Sequence, residues 1–192
     1  AVDREIEWAR TKPDITETWH GQSLDVDIDC SGNILFGWLN DVCRVGYHAE
    51  VPTSAALELT TKTGGIIVSD IDNHVDATTT TGSISIRGVA GELVAAATTG
   101  SVSGIDLDAG EVTARTSTGD IDLAFSTAPR RVIAELSTGD VVITVPDDGS
   151  SYRVVGDTQT GERRIDVATN PTADRIIDVT STTGDVTIEY SD

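Results

Sequence analysis

The sequence predicts an all-β fold: a single-stranded, right-handed parallel β-helix (a β-solenoid) of about seven to nine coils. A Thr-Gly pair occurs seven times, with spacings of 18, 18, 19, 20, 22 and 23 residues between successive glycines. Aliphatic residues recur at fixed distances from each glycine. The chain has 192 residues, of which 38% are hydrophobic, and this length suits one domain of ordinary size.

Each Thr-Gly pair is interpreted as a structural corner that joins two short strands. The residue seven positions before every glycine is aliphatic, and so is the residue two positions after it in all copies but one, where Arg163 stands. Polar residues alternate with these positions, as expected for strands that bury one face. Glycine supplies the positive φ that a tight corner requires. The predicted corner residues are Thr63, Gly64, Thr81, Gly82, Thr99, Gly100, Thr118, Gly119, Thr138, Gly139, Thr160, Gly161, Thr183 and Gly184.

Stacking one copy on the next would bury the apolar face of every copy. Parallel crossovers are right-handed in nearly all sheets, which predicts a right-handed coil. The alternative is an antiparallel sandwich, which also has short strands separated by turn signals. A sandwich gives no reason for one Thr-Gly corner in every second connection. Apolar residues in the remaining connections predict a third wall, at Ile71, Val89, Ile105, Leu107, Phe125, Val145 and Val167.

The predicted domain organisation has two parts. Residues 1–20 form an N-terminal cap or linker, and residues 21–192 form the β-solenoid domain, with irregular coils over residues 21–56 and regular repeats over residues 57–192.

The two ends of the chain receive different predictions. A short helix is predicted within residues 1–12, because Val2, Ile6 and Ala9 share one helical face. The strand at residues 186–190 is expected to form the last edge of the column, which either a partner or its own acidic charge protects.

Composition narrows the partners and the location. The formal charge of −19 disfavours nucleic acid and anionic membrane surfaces. No apolar run approaches the roughly 20 residues of a membrane-spanning helix. Because the chain contains no methionine, we expect that a signal or anchor segment precedes it in the gene product, with a trimmed cytosolic protein as the alternative. Cys30 and Cys43 are predicted to form a disulfide, which implies an oxidising compartment; two buried thiols are the alternative.

The polar residues around the corners admit several chemistries. Threonines three positions before the glycine share the face of the aliphatic residues, so we expect them and the corner threonines to stack inside with their hydroxyls bonded to backbone, rather than to bind ice. Asp120, Asp140, Glu162 and Asp185 follow corner glycines. A ladder of carboxylates could bind Ca²⁺, but a solvated acidic edge is the preferred interpretation. No metal or cofactor site is predicted.

Catalytic patterns are sparse. His20, His48 and His74 are scattered, and no HExxH, GxSxG or Walker pattern occurs. Right-handed solenoids include polysaccharide-cleaving enzymes, and on that view Arg130, Arg131, Arg153, Arg163 and Arg164 are candidates. Arg163 indicates either a bulge in its coil or a partner carboxylate. The chain is predicted not to be an enzyme.

Five features of the sequence resemble a known bacterial family. They are the run that begins Tyr47-His-Ala-Glu-Val-Pro, the Thr-Gly-x-Ile-x-Ile copies, Pro146-Asp-Asp-Gly, Tyr152-Arg-Val, and the terminal Thr183-Gly-Asp-Val-Thr-Ile. Over about residues 20 to 190 the chain looks like the adhesin-like family of β-strand repeats, whose hallmark is a repeated [Ser/Thr]-Gly-[Asp/Ser]-[Val/Ile] turn. The resemblance implies a single-stranded right-handed β-helix that is exported or tethered outside the cytoplasmic membrane, with no catalytic residues to carry over.

Together these observations predict a non-enzymatic, extracytoplasmic, adhesin-like interaction or scaffold module of the bacterial cell envelope, secreted or membrane-anchored. The expected partner is an envelope or surface ligand, namely a glycan, a cationic peptide or a protein, and end-to-end self-association is a further expectation. The alternatives are a polysaccharide-active β-helix enzyme and a self-assembling structural or ice-binding solenoid.

Overall fold

The computed structural model describes residues 2–8, 14–20, 23–29 and 43–191. The regular secondary structure of these residues consists of β-strands, with no helix among them. The chain divides into two compact units, Ala1–Val51 and Pro52–Asp192. This boundary differs from the predicted one, which separated residues 1–20 from a solenoid at residues 21–192.

The first unit contains two antiparallel strand pairs. Strand β1 (Val2–Trp8) pairs with β4 (Cys43–Ala49), and β2 (Asp14–His20) pairs with β3 (Ser23–Asp29). The prediction of a helix in residues 1–12 is therefore wrong for the described part of that segment. Val2 and Ile6 are also two strand periods apart, so the pattern that suggested a helix fits the observed strand equally well. The strands at residues 14–29 pair with each other in antiparallel fashion, so they do not form parallel coils.

The second unit is the solenoid, and each of its coils consists of two strands joined at a Thr-Gly corner. We number the coils in chain order. Coil 1 is β5 (Leu57–Thr63) and β6 (Ile66–Ile71), and coil 2 is β7 (Val75–Thr81) and β8 (Ile84–Val89). The remaining strands are, for coil 3, β9 (Leu93–Thr99) and β10 (Val102–Leu107); for coil 4, β11 (Glu111–Thr118) and β12 (Ile121–Phe125); for coil 5, β13 (Arg131–Thr138) and β14 (Val141–Val145); for coil 6, β15 (Arg153–Thr160) and β16 (Arg163–Ile165); and for coil 7, β17 (Ile176–Thr183) and β18 (Val186–Tyr190).

The strands of the coils form two parallel sheets of seven strands each. The first strand of every coil belongs to one sheet, which we call the first wall, and the second strand belongs to the other, the second wall. All pairings within both walls are parallel. The predicted β-solenoid is confirmed and the antiparallel sandwich is excluded for this unit, while the right hand of the coil stays a prediction.

The hydrophobic core lies between the two walls. Burial alternates along the strands: Ile84 and Ile86 of β8 are buried, whereas Ser85 between them is exposed. The aliphatic residues at the predicted offsets stack along one core from coil 1 to coil 7. The last residues of β10 and β12, Leu107 and Phe125, are also buried, so they belong to the second wall and not to a connection. Ile105, which we expected in a third wall, lies within β10 and is 40% exposed.

The order of the coils in space differs from their order in the chain. Coil 7 lies between coil 5 and coil 6, because β17 pairs with both β13 and β15, and β18 pairs with both β14 and β16. The expectation that Val186–Tyr190 forms the last edge is therefore wrong. Coil 6 occupies that end of the column.

Side-chain polarity explains this order. Coil 6 carries Gly156 and Arg163 where coil 7 carries Val179 and Val186, and the two pairs lie in register. Gly156 and Arg163 are exposed, whereas both valines are buried. A guanidinium group is tolerated at the outer end of a stack but not between two coils. The register at Arg163 continues without a shift, so the predicted bulge is not observed there.

Candidate functional site

The seven Thr-Gly pairs form one row along the column. In six of the seven corners the glycine N–H donates to the threonine carbonyl of the next coil in the stack, as in Gly82 to Thr99 at 2.9 Å and Gly139 to Thr183 at 3.0 Å. All seven glycines have φ between 135° and 146°. A Cβ on Gly100 would clash with the carbonyl oxygen of Gly82, so the corner demands glycine both for its backbone conformation and for the close approach of neighbouring coils.

The threonines before the corner divide into a buried and an exposed row. Thr79 and Thr116, three positions before their glycines, are buried and donate to the carbonyls of Gly64 at 3.1 Å and Gly100 at 2.8 Å. The predicted inward stacking is confirmed for these two. It is wrong for the corner threonines themselves, such as Thr81, which are exposed because the chain has already begun to turn away from the core.

The residues after the corner glycines form a hydrogen-bonded ladder. Asp120 Oδ1 accepts from the Asp140 N–H at 3.0 Å, Asp140 Oδ1 from the Asp185 N–H at 2.8 Å, and Asp185 Oδ1 from the Glu162 N–H at 2.8 Å. Ser101 Oγ occupies the same place one coil earlier. Each carboxylate thus accepts a backbone proton of the next coil, which offsets part of the repulsion between stacked acids. In the part of the chain that the structure describes, no group of three or more His, Cys, Asp and Glu could hold a metal ion.

The first wall has a shallow depression across coils 3, 4, 5 and 7, with a volume of about 350 Å³. Its floor contains Ala97, Thr116 and Leu136. These occupy the threonine row three positions before the corner, and they are 5–7% exposed, whereas Thr79 in the same row is 1% exposed. The repeat pattern alone did not point to this depression.

A salt bridge borders this depression. Arg115 Nε donates to Glu135 Oε2 at 2.7 Å, from coil 4 to coil 5. Ser117 and Ser137 add hydroxyl groups to the lining. The lining contains one cation and one anion, so the depression is locally neutral on a protein whose formal charge is −19. It presents hydrogen-bond donors and acceptors above a partly apolar floor.

Comparison with known protein families decides the family of the chain. Residues 16–189 match the family described as Toastrack DUF4097. The chain belongs to this family. Among curated proteins and among solved structures, none matches the chain significantly. The family is an uncharacterised repeat family, so the adhesin label in the predicted resemblance stays a proposal.

The arginines that an enzyme would require are dispersed in this Toastrack protein. Arg130 lies 3.2 Å from Glu111, and Arg164 forms a salt bridge with Asp166 of its own coil. Arg163 is exposed at the end of the column, Arg131 is exposed at the start of β13, and Arg153 is half-buried at the start of β15. The structure does not bring these five arginines together in one groove.

The histidines are separated as well. His74 Nδ1 lies 3.6 Å from Glu92 Oε2, which links coil 2 to coil 3. His20 and His48 are in the first unit and are exposed. The described residues contain no helix that is long and apolar enough to cross a membrane. The predicted Cys30–Cys43 disulfide lies outside the described residues, because Cys30 is not among them, so it stays a prediction.

Tyr152 is a buried titratable group in the Toastrack solenoid. Its side chain is 0% exposed, and its hydroxyl has no hydrogen-bond partner. Burial raises the pKa of Tyr152 to about 12, and the nearby charge of Asp148 contributes in the same direction. The phenol is therefore neutral at physiological pH and fills the core beside coil 6.

Proposed function

We propose that this Toastrack protein is a non-enzymatic interaction module of the bacterial cell envelope, held outside the cytoplasmic membrane, that binds a polysaccharide on its first wall. The depression across coils 3, 4, 5 and 7 carries this proposal. Its local neutrality favours an uncharged ligand over a cationic peptide, which would be drawn to the acidic surface elsewhere.

The chemistry of the depression suits the hydroxyl groups of a sugar chain. Arg115 and Glu135 supply planar, charged donors and acceptors, which form stronger hydrogen bonds than neutral groups do. Ser117 and Ser137 add neutral hydroxyls. The depression is open and lies on a regular wall, so a long polymer could bind without entering a closed pocket.

The stacked architecture supports a role in presentation rather than in catalysis. Seven coils share one continuous core, and the backbone of each corner is hydrogen-bonded to the next coil. A scaffold of this kind holds one wall in a fixed geometry, and a polymer could contact several such modules at once.

The binding test uses calorimetric titration of the intact chain with soluble cell-wall polysaccharides and plant glycans. Arg115→Ala and Ser117→Trp should each weaken binding, the first by removing a charged donor and the second by filling the depression. The matched control is Arg87→Ala, because Arg87 forms a similar exposed salt bridge with Asp106 at 3.0 Å on the second wall.

Three outcomes would contradict the proposal. Equal weakening by Arg87→Ala would show that the effect is not specific to the depression. Binding that disappears at high ionic strength would show that attraction between exposed charges, and not hydrogen bonding to sugar hydroxyls, holds the polysaccharide, because salt screens exposed charges. Cleavage of a glycan in the panel would show an enzyme instead of a binding module.

The location is tested separately, on the full-length protein in its own cells. A membrane-impermeant biotin reagent should label the protein in intact cells, and the gene should encode a signal or anchor segment upstream of Ala1. Labelling that requires cell lysis would contradict the extracytoplasmic setting.

A further inference from the structure

Coil 7 occupies a slot whose two sides are made by earlier parts of the chain. On one side lie β13 and β14 of coil 5, and on the other lie β15 and β16 of coil 6. Residues 146–152 connect these two sides directly, so the slot does not depend on coil 7 for its covalent continuity. That connection has seven residues, whereas three residues, 72–74, join coil 1 to coil 2.

The contacts that hold coil 7 are those of a general strand acceptor. Seven residue pairs of β17 are in register with β13 and seven with β15, and Ile177 and Ile188 are fully buried. These contacts are backbone hydrogen bonds and apolar packing. They recognise a strand pair with aliphatic residues at the inward positions, whichever molecule supplies it.

The segment that leads into coil 7 can reach beyond its own column. Residues 166–175 join β16 to β17, and ten extended residues span at most about 33–36 Å. Asn170, Pro171, Thr172 and Asp174 within this segment are exposed. The two ends of this segment are held to the column: Asp166 N–H donates to the Ile188 carbonyl, Asn170 N–H donates to the Tyr152 carbonyl, and Arg175 Nη1 donates to the carbonyls of Ala128 and Pro129. Between these ends, Thr172 and Ala173 donate hydrogen bonds only to Asn170 of the same segment, so residues 171–174 are the part that can extend.

We propose that the space between coils 5 and 6 is a strand-acceptor slot, and that a second copy of this chain supplies its coil 7 to that slot, so that two columns join through their C-terminal coils. Exchange of an identical element preserves every contact within the slot, which makes it a low-cost route to a dimer. The proposal does not rest on the polysaccharide site, although Thr180 of coil 7 is among the residues that line the depression. A dimer would present two first walls.

The same geometry defines which strand pairs the slot rejects. In the position of coil 7, coil 6 would bury Arg163 between Val141 and the next coil and would place Gly156 where Val179 packs. An uncompensated charge in that position costs several kcal/mol, which corresponds to far more than a tenfold loss of affinity. The slot is therefore selective for the sequence of coil 7.

The first experiment measures self-association of the full chain. After refolding from urea at high protein concentration, the chain should show a dimer by light scattering, and refolding at low concentration should give the monomer. The control deletes Asp147–Gly149, which are exposed and whose loss leaves a four-residue connection. A connection of this length can join only adjacent coils, so coil 6 would stack directly on coil 5. The slot between them would then be absent, and the dimer should disappear. A dimer that persists in this variant, or a wild-type chain that is monomeric after both treatments, would overturn the proposal.

The second experiment does not require the deletion variant to fold. A protease site replaces residues 171–174 in the full chain and is cut after folding. The C-terminal fragment should stay bound and should exchange with an excess of a fluorescent peptide of residues 175–191, whereas the same peptide with Val186→Arg should bind more than about tenfold more weakly. Release of the fragment without uptake of the peptide, or equal uptake of both peptides, would show that the slot does not accept a strand pair from another molecule.

Discussion

Coils 6 and 7 are neighbours that share one backbone geometry and differ in the polarity of their inward positions. Their first strands match residue for residue from Arg153 and Ile176 onward, and both turn at a Thr-Gly pair. Coil 7 is covered on both sides and is apolar within, whereas coil 6 is covered on one side and tolerates Arg163 and Gly156. The apolar content of a copy, rather than its place in the chain, therefore decides where it stacks.

The largest effect on the free energy of unfolding is expected from exchanging the polarity of Val186 in coil 7 and Arg163 in coil 6. Val186→Arg would bury a charge between two coils and should lower the free energy of unfolding by at least about 4 kcal/mol. Arg163→Val, at the corresponding position of coil 6, should change it by no more than about 0.5 kcal/mol, because that position is exposed. Urea denaturation measures both. Similar losses in the two variants would show that coil 6 is not the end of the stack.

The next effect separates backbone conformation from close approach at the corners. Gly100→Ala should cost about 3 kcal/mol or more, because its Cβ would clash with the Gly82 carbonyl and force two coils apart. Gly64→Ala should cost only about 1–2 kcal/mol, since φ is nearly the same but the nearest atom, Thr61 Oγ1, is 3.6 Å from the added Cβ. Thermal and urea unfolding of both variants check this, and equal costs would mean that conformation alone requires the glycine.

A smaller effect is expected in the buried threonine row. Thr116→Val leaves the Gly100 carbonyl without the hydroxyl that donates to it and should cost about 1–2 kcal/mol. Thr116→Ser keeps the donor and should retain most of the stability that Thr116→Val loses. If the serine variant is as unstable as the valine variant, the methyl group rather than the hydrogen bond accounts for the role of Thr116.

The smallest effect, at neutral pH, is expected at Tyr152. The pKa of Tyr152 is about 12 in the folded protein and about 10 in the unfolded chain. The contribution of the neutral phenol to protein stability is therefore fully present below pH 10 and is lost as the pH rises through 12. Tyr152→Phe removes an unpartnered buried hydroxyl, so it should be close to neutral at pH 8 and should lose less stability between pH 10 and 12. Unfolding curves at pH 8 and pH 11 test this; parallel losses in both proteins would place the alkaline transition elsewhere.

Much of the solenoid could be predicted from the repeats, because each corner repeats the same local requirements. Thr-Gly at the turn and aliphatic residues at odd offsets before it specify strand, corner and strand in every copy. The inward face of Thr79 and Thr116 followed from strand alternation. The exposure of Thr81 did not follow from it, because strand alternation ends where the chain turns the corner.

The order of coils 6 and 7 was signalled in the sequence but was not inferred. The repeat lengthens to 22 and 23 residues at these copies, and Arg163 and Gly156 occupy inward positions in coil 6. The longer connections allow the chain to leave the space of one coil empty when it forms coil 6, and to fill that space with coil 7. The order could be inferred only with the knowledge that polar residues at inward positions are tolerated at the end of a stack and not within it.

By itself, the sequence determined that each copy forms a strand pair with a glycine corner and one apolar face, because these are local properties of pattern and backbone conformation. Only the tertiary structure decided which copies are neighbours and where a depression opens on the first wall. Both depend on packing between side chains far apart in the chain: coil 5 meets coil 7, and Arg115 meets Glu135, only after the walls have formed.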